Sequence, residues 1–245
     1  MRLTVVGCWS PYPAPGEACS GYLLEQDGFT LLVDCGSGVL SRLATFADLA
    51  RVDAVWLSHL HGDHMADILS LRYAVDADLG SGRRQAPLLV YGPGAPAAEW
   101  GILPYREAVT TVAVAAGDSL TVGPLTVSTV ATVHPLPTLA GRFTAGGRSL
   151  LFTGDTAETD AVADLGAGAD VWLAEATLPE AYRHHTRFGH MTAGQCGRLA
   201  RRAAAARLVI THFWPGTDRA AQAAEAAAGF EAEVTVAAER LSLDV

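Results

Sequence analysis

Ser58-His59-Leu60-His61-Gly62-Asp63-His64 places three imidazoles and one carboxylate within six residues, directly after the apolar run Ala54-Val55-Trp56-Leu57. Imidazole nitrogens and carboxylate oxygens suit Zn²⁺, Mn²⁺ or Fe²⁺. A loop that leaves a strand can aim neighbouring side chains at two different points, so the string has the makings of two adjacent metal sites. Three further candidates recur in the same setting, each at the end of an apolar strand: Leu125 to Val133 runs into His134, Leu150 to Gly154 into Asp155, and Leu208 to Thr211 into His212. Strands that each end in a ligand can deliver distant residues to one rim of a sheet, where open α/β architectures place their sites. Taken singly, His134 and His212 read as structural histidines and Asp155 as a turn residue. It is their combination with the first string that points to a metal centre.

The elements that must hold these residues alternate throughout the chain. Short β-rich runs are expected at Leu3 to Val6, Tyr22 to Glu25 and Phe29 to Val33, the last two joined by a hairpin at Gln26-Asp27-Gly28. Further strands are expected at Ala54 to Leu57, Leu88 to Tyr91, Thr111 to Val114, Leu120 to Val122, Leu125 to Val130, Arg148 to Phe152, Val171 to Ala174 and Leu208 to Ile210. Helices are expected at Val39 to Leu49, Met65 to Asp76, Ala161 to Leu165, Thr192 to Ala206 and Asp218 to Ala228, the fourth opened by the capping-box pattern Thr192-Ala-Gly-Gln195. No Pro/Gly/Ser-rich linker separates two units, so residues 1–245 read as a single domain.

Composition narrows the function. Half of the 245 residues are hydrophobic and 18% are charged, which fits a globular fold. The 17 basic residues, every one an Arg, face 26 acidic ones for a net charge of -9. Lysine chemistry is therefore excluded, and a general electrostatic grip on nucleic acid is disfavoured. Cys8, Cys19, Cys35 and Cys196 form no CxxC pair and read as buried reduced thiols. No run approaches the ~18–20 apolar residues of a membrane span. The expected location is cytoplasmic, with no membrane partner.

The HxHxDH string, a later His, Gly-Asp-Thr at 154–156 and a late Thr-His together resemble the metallo-β-lactamase superfamily. The early Val33-Asp34-Cys35-Gly36 segment resembles that family's Asp-x-Gly turn after its third strand. The resemblance implies a four-layer αββα sandwich, with two mixed β-sheets packed face to face and helices outside. It also implies two divalent cations, zinc first with manganese or iron as alternatives. His59, His61 and His134 would hold one, Asp63, His64 and His212 the other, and Asp155 would bridge them. Such a pair would carry a bridging hydroxide, oriented by Asp63, as the nucleophile. Ala174-Glu175-Ala176-Thr177 and Gly189-His190-Met191-Thr192-Ala193 resemble the ribonuclease Z-like branch. Carried over, His190 is a general acid for the leaving oxygen, with Glu175 fixing its tautomer. A homodimer is also carried over from that branch.

Departures from the branch shape the functional expectation. After Tyr91-Gly92-Pro93-Gly94 there is room for only about a dozen helical residues, not for the projecting arm with which ribonuclease Z grips tRNA. The loop Pro11 to Ala18 has no basic residue, and Phe213-Trp214-Pro215 follows His212 where the processing enzymes differ. The chain more closely resembles compact bacterial phosphodiesterases acting on cyclic nucleotides and other small phosphodiesters, which makes a small-molecule phosphodiester the expected substrate. The alternatives are hydrolysis of a lactone, thioester or β-lactam on the same metals, tRNA 3′ processing, and a metal-binding protein without turnover. Three positions stay open. Trp9, Phe213 and Trp214 are an aromatic wall for a base or else core. Asp67 orients an imidazole or is a solvated helix residue. Arg183, His184, His185 and Arg187 edge the cleft or form a solvated loop.

Overall fold

The computed structural model describes residues 1–245. The first half of the chain runs β1 (Arg2–Gly7), β2 (Gly21–Gln26), β3 (Phe29–Val33), α1 (Val39–Leu43), β4 (Ala54–Trp56), α2 (Gly62–Met65), α3 (Ile68–Gly80), β5 (Leu88–Gly92), α4 (Ala97–Gly101) and β6 (Val109–Ala113). The second half runs β7 (Ser119–Val122), β8 (Leu125–Ala131), β9 (Leu139–Ala145), β10 (Arg148–Phe152), α5 (Asp160–Leu165), β11 (Val171–Glu175), α6 (Ala193–Arg202), β12 (Leu208–Thr211), α7 (Arg219–Phe230), β13 (Val234–Val236) and β14 (Ser242–Asp244). Two seven-stranded mixed sheets result, ordered β14-β1-β2-β3-β4-β5-β6 and β13-β12-β11-β10-β9-β8-β7.

Period-2 alternation explains the stacking of layers. Leu3, Val5, Tyr22, Leu24, Leu31, Val33 and Trp56 turn one face of the first sheet into the larger core. Val6, Leu23, Leu32, Val55 and Val90 turn the other face toward Val39 and Leu43 of α1 and Ile68, Leu71 and Val75 of α3. These strands are buried on both faces, which is why they read as unbroken apolar runs. Across the sandwich, Tyr22 meets Phe152 with ring centroids 5.4 Å apart, and Trp56 meets Phe143 edge-on at 5.7 Å. The Tyr22 hydroxyl spans the two sheets to Thr211 Oγ1 at 2.7 Å. Helices α5, α6 and α7 cover the second sheet, giving the αββα order.

Strand direction gathers the site. β3 and β4 are parallel, as are β10, β11 and β12. β8 and β10 each pair antiparallel with β9, so β8 runs in the same direction as β10. The residues that follow β3, β4, β8, β10, β11 and β12 therefore emerge at one rim.

Several boundaries differ from expectation for local reasons. The helix expected to reach Leu49 stops at Leu43, where the Thr45 hydroxyl donates to the Arg42 carbonyl at 2.7 Å and ends the ladder. The helix expected over Met65 to Asp76 is two pieces, because the Asp67 N–H leaves the helix for the Cys35 carbonyl at 3.0 Å. α6 ends at Arg202 rather than Ala206, with Ala204 at φ 54. The dozen helical residues expected after Gly94 shrink to the five of α4. β13 and β14 were not expected, and neither was the 3₁₀ segment Glu180–Phe188; β9 is the first arm of the hairpin that the sequence places at Thr144-Ala-Gly-Gly147, flanked by Arg142 and Arg148. No helix is long and apolar enough to cross a membrane.

Candidate metal centre

β4 ends at Trp56, and the chain then turns through Ser58 to His59 and His61 before the single turn of α2. The His64 and Met65 N–H groups both donate to the His61 carbonyl at 3.0 and 3.1 Å. That turn carries Asp63 and His64 to His212, while the His64 ring stays 4.0 Å from that of His59. His134 follows β8, Asp155 follows β10 and His212 follows β12. Gly154 takes φ +56, and a Cβ there would approach the Ser58 Cβ to 3.1 Å, so Gly fits the turn that presents Asp155. Asp34 and His212 hold left-handed backbone at φ 57 and 67, conformations that branched or bulky residues avoid and that cluster at functional sites.

All seven sequence-predicted ligands converge, in two groups. Nitrogen and oxygen atoms of His59, His61, His134 and Asp155 lie within 4.8 Å of one another, as do those of Asp63, His64 and His212. In the first, His61 Nδ1 is 2.9 Å from His59 Nε2 and 3.1 Å from His134 Nε2. In the second, the Nε2 atoms of His64 and His212 are 3.1 Å apart. Asp155 serves both: Oδ2 lies 3.6 Å from His59 Nε2, while Oδ1 lies 3.3 Å from His64 Nε2 and 3.1 Å from His212 Nε2. Asp155, His190 and His212 make a third such group.

Proton accounting tests whether this cluster fits a cation. His64 Nδ1–H donates to Asp34 Oδ2 at 2.7 Å. The Ser58 hydroxyl is committed to Asp34 at 2.9 Å, so its oxygen accepts from His59 Nδ1–H at 3.1 Å. His134 Nδ1–H donates to the Gly189 carbonyl at 3.1 Å. The Nε2 atoms of His59 and His134 are thus lone pairs, with His61 Nδ1 2.9 and 3.1 Å away, and the Nε2 atoms of His64 and His212 approach to 3.1 Å. Asp155 Oδ1 is buried with no hydrogen-bond donor. Lone pairs and a bare carboxylate oxygen facing inward are costly alone and favourable around a cation.

Electrostatics agree. Burial pushes His59 well below the ordinary imidazole range, and lowers His61 and His134. Burial pulls His64 the same way, but the carboxylates of Asp155, Asp63 and Asp34 outweigh it and raise its pKa well above the usual value. Despite burial, Asp63 and Asp155 are held below the carboxylate range by His64 and His212. The pull that protonates His64 is the pull that would draw in a metal ion.

Beside the second group, His190 Nδ1 lies 3.1 Å from Glu175 Oε1. The Glu175 carboxylate also accepts from Thr156 N–H at 2.6 Å, Met191 N–H at 3.2 Å and the Thr177 hydroxyl at 2.5 Å. Burial disfavours charge on His190, yet the Glu175 carboxylate overcomes it and lifts the pKa to about 9. The His190 ring stacks on His212 with centroids 5.6 Å apart and meets His134 at 5.3 Å. The expected capping box of Thr192 and Gln195 is present and fixes the chain just past His190. An open cleft of about 400 Å³, lined by Ser10, Pro11, Ser37, His61, Gly62, Asp63, Asp155 and His190, gives access. A larger groove of about 840 Å³ borders the β2–β3 turn and holds none of the ligating groups.

The open positions resolve differently from one another. Trp9 and Phe213 are core, 7% and 0% exposed, and Arg219 lies over both rings. Trp214 is half-buried against Tyr182, centroids 6.2 Å apart. Asp67 reaches no imidazole; it accepts from Leu40 N–H at 2.8 Å and ties α1 to α3. Arg183, His184, His185 and Arg187 lie on the 3₁₀ segment and contribute nothing to the cluster. Sequence reasoning missed four groups that touch the site. Ser10 Oγ donates to Asp63 Oδ2 at 3.0 Å, Ser37 lines the cleft, and Asp34 and Thr177 hold His64 and His212. Asp34 and Thr177 lay inside recognised motifs; Ser10 carried no signal.

Comparison with known proteins matches this geometry. A family model described as "Beta-lactamase superfamily domain" matches residues 30–213. The chain is 37% identical over 215 residues to the probable metallo-hydrolase YhfI of Bacillus subtilis, covering 87% of each. It is 30% identical over 248 residues to a ribonuclease Z of Mycobacterium bovis, covering 88% of this chain and 86% of that one. The crystal structure of Bacillus subtilis YhfI superposes with a TM-score of 0.95 at 33% identity, covering 99% of this chain and 98% of that one. A diphosphatase of the PhnP family shares the fold, with a TM-score of 0.78 at 17% identity over 100% of this chain and 97% of that one. The chain belongs to the metallo-β-lactamase superfamily. With its His/Asp cluster it is a metal-dependent hydrolase.

Proposed function

We propose that the protein is a dinuclear phosphodiesterase that cleaves a small phosphodiester, a cyclic nucleotide being the leading candidate. The observation that carries this reading is the Glu175–His190 pair. It is an imidazole bonded through Nδ1 to a buried carboxylate and open to the cleft beside both ligand groups. A thioester has no need of a second, separately oriented acid, because its thiolate leaves unprotonated. A phosphodiester does, because its alkoxide leaving group must be protonated.

When bound, two divalent cations, zinc in our reading, supply Lewis acidity: they acidify water from 15.7 toward ~7 and offset charge on phosphoryl oxygens. The protein's own groups do the rest. Asp63, with Oδ2 held by Ser10, lies on the cleft wall where it orients the attacking water. Ser37 makes no hydrogen bond within the protein through its N–H or its hydroxyl, and so offers two donors to a non-bridging phosphate oxygen. His190 presents Nε2–H to the leaving oxygen while Glu175 holds Nδ1.

Size and charge support a small substrate. The cleft, about 400 Å³, sits at the small end of the range for ligand pockets. A net charge of -9 without a single Lys opposes a polyanion, and the five-residue α4 leaves no arm to grip tRNA. The ribonuclease Z and diphosphatase similarities both favour phosphoryl chemistry over acyl chemistry. The test is to assay zinc- or manganese-loaded protein on bis(p-nitrophenyl) phosphate, cyclic nucleotides, nitrocefin and a thioester. The reading expects turnover of the phosphodiesters, with a loss of roughly 10²- to 10⁴-fold in His190→Ala. Faster turnover of nitrocefin or the thioester overturns it.

A further inference from the structure

We infer that Thr177 is a positioning residue. It fixes His212 as the Nδ1–H tautomer, leaves Nε2 bare as the ligand atom, and ties that ligand to the same carboxylate that holds His190. The inference rests on the metal centre proposed above and adds a role to a residue outside both the ligand set and the Glu175–His190 pair.

The direction of each bond follows from counting protons. Thr177 Oγ1 lies 2.5 Å from Glu175 Oε2 and 2.7 Å from His212 Nδ1. A hydroxyl has one proton to give and lone pairs to receive. Were that proton aimed at His212, two oxygens would face each other at 2.5 Å with nothing between them, so it goes to Glu175. The hydroxyl oxygen then accepts, and the only donor His212 can offer at that atom is Nδ1–H. Nε2 is left as a lone pair, 3.1 Å from both Asp155 Oδ1 and His64 Nε2.

The hydroxyl cannot easily turn away. Thr177 is fully buried. Ala176 N–H donates to the Thr211 carbonyl at 3.0 Å, tying the end of β11 to the end of β12. From α7, Gln222 Nε2 donates to the Ala176 carbonyl at 2.7 Å. The Glu175 carboxylate is pinned in turn by the Thr156 and Met191 amides. The result is a continuous arc in which His212 Nδ1–H donates to Thr177, Thr177 donates to Glu175, and Glu175 receives His190 Nδ1–H. No other imidazole of the cluster shares its anchor with His190. His64 is held by Asp34, His59 by Ser58 and His134 by a backbone carbonyl.

The test compares full-length wild type, Thr177→Val and Thr177→Ser. Zinc uptake is read by competition with a chromophoric chelator, and imidazole tautomers by long-range ¹H–¹⁵N spectra of zinc-loaded protein. Zinc at the His59, His61 and His134 group serves as the internal reference. Thr177→Val is expected to keep that equivalent and to bind the other roughly 10- to 100-fold more weakly, as loss of a ligand's orienting partner does. Thr177→Ser is expected to restore it. In wild type, His212 is expected to be protonated at Nδ1. That wild-type spectrum stands even where Thr177→Val does not fold, and protonation at Nε2 instead overturns the inference. So does wild-type affinity for both equivalents in Thr177→Val. A wild type that takes up no zinc at Asp63, His64 and His212 contradicts the proposed dinuclear centre itself, a separate result.

Discussion

His64 and His212 face each other nitrogen to nitrogen, their Nε2 atoms 3.1 Å apart and both 3.1–3.3 Å from Asp155 Oδ1. Each ring is held from behind by its other nitrogen, His64 by Asp34 and His212 by Thr177. With Nδ1 engaged, each turns Nε2 into the space in front of Asp155. They form half of a cage whose other half is His59, His61 and His134, with Asp155 between.

Asp155 is thus the residue whose loss should be felt by both halves. Asp155→Asn keeps the shape but replaces one carboxylate oxygen with an amide that offers protons where lone pairs are needed. We expect zinc affinity to fall by more than the ~100-fold typical of losing an outer partner, with activity lost in parallel. Equilibrium dialysis with metal analysis checks this. Retention of both equivalents would remove the bridging role.

His190 gives the pH dependence. The folded value of about 9 exceeds the ordinary 6.5 because the Glu175 carboxylate outweighs burial. A raised pKa means stability that is fully present below 6.5 and is lost as pH rises through about 9. In cation-free protein, chemical denaturation should therefore show declining stability across that window, and Glu175→Gln should flatten the decline. In loaded protein, an acid role requires an alkaline limb in kcat. Glu175→Gln should move that limb to lower pH, because burial then acts unopposed. A limb unmoved by Glu175→Gln would assign it to another group.

Ser37 should separate binding from chemistry. Ser37 lines the cleft with its N–H and hydroxyl unpaired within the protein, and a hydrogen bond to a charged oxygen is worth about 1.5–3 kcal/mol. Ser37→Ala leaves the amide and removes the hydroxyl. We expect kcat/KM on a phosphodiester to drop roughly 10-fold, mostly through KM, with metal content unchanged. An equal loss confined to kcat would place the hydroxyl in the chemical step.

The scaffold makes its own prediction, away from the site. Helices α6 and α7 touch backbone to backbone, and a Cβ on Gly197 would lie 2.1 Å from the Ala226 carbonyl oxygen. Gly197→Ala must push the helices apart. It should destabilise the protein by about 1–3 kcal/mol, seen as a lower Tm, while the metal stoichiometry of the folded fraction stays at the wild-type value.

Much of the site was legible because its information is local. His59 to His64 fall within six residues, and His134, Asp155 and His212 each follow an apolar strand, so motif and strand-end reasoning reach all of them. What holds them was less visible. The Asp34–His64 bond joins residues 30 apart, the Ser10–Asp63 bond residues 53 apart and the Thr177–His212 bond residues 35 apart. Such pairings are set by sheet order, which no short window contains. The fold shows the same divide. β3 and β10 begin and end where the apolar runs do. The start of β9 was hidden because Gly141 and Arg142 interrupt its pattern, although Phe143 beside them packs against Trp56. Trp9 and Phe213 sit near the rim in sequence but turn inward, because their strand-end bridge closes over Arg219 and the core rather than over the cleft.

In the proposed centre, two cations occupy one cage divided by Asp155. Anomalous diffraction from crystals grown with excess zinc, with metal analysis of the same protein, tests it most directly. Two peaks per chain are expected, one among His59, His61 and His134 and one among Asp63, His64 and His212, each within bonding reach of an Asp155 oxygen. A single peak, or none, under saturating zinc contradicts it.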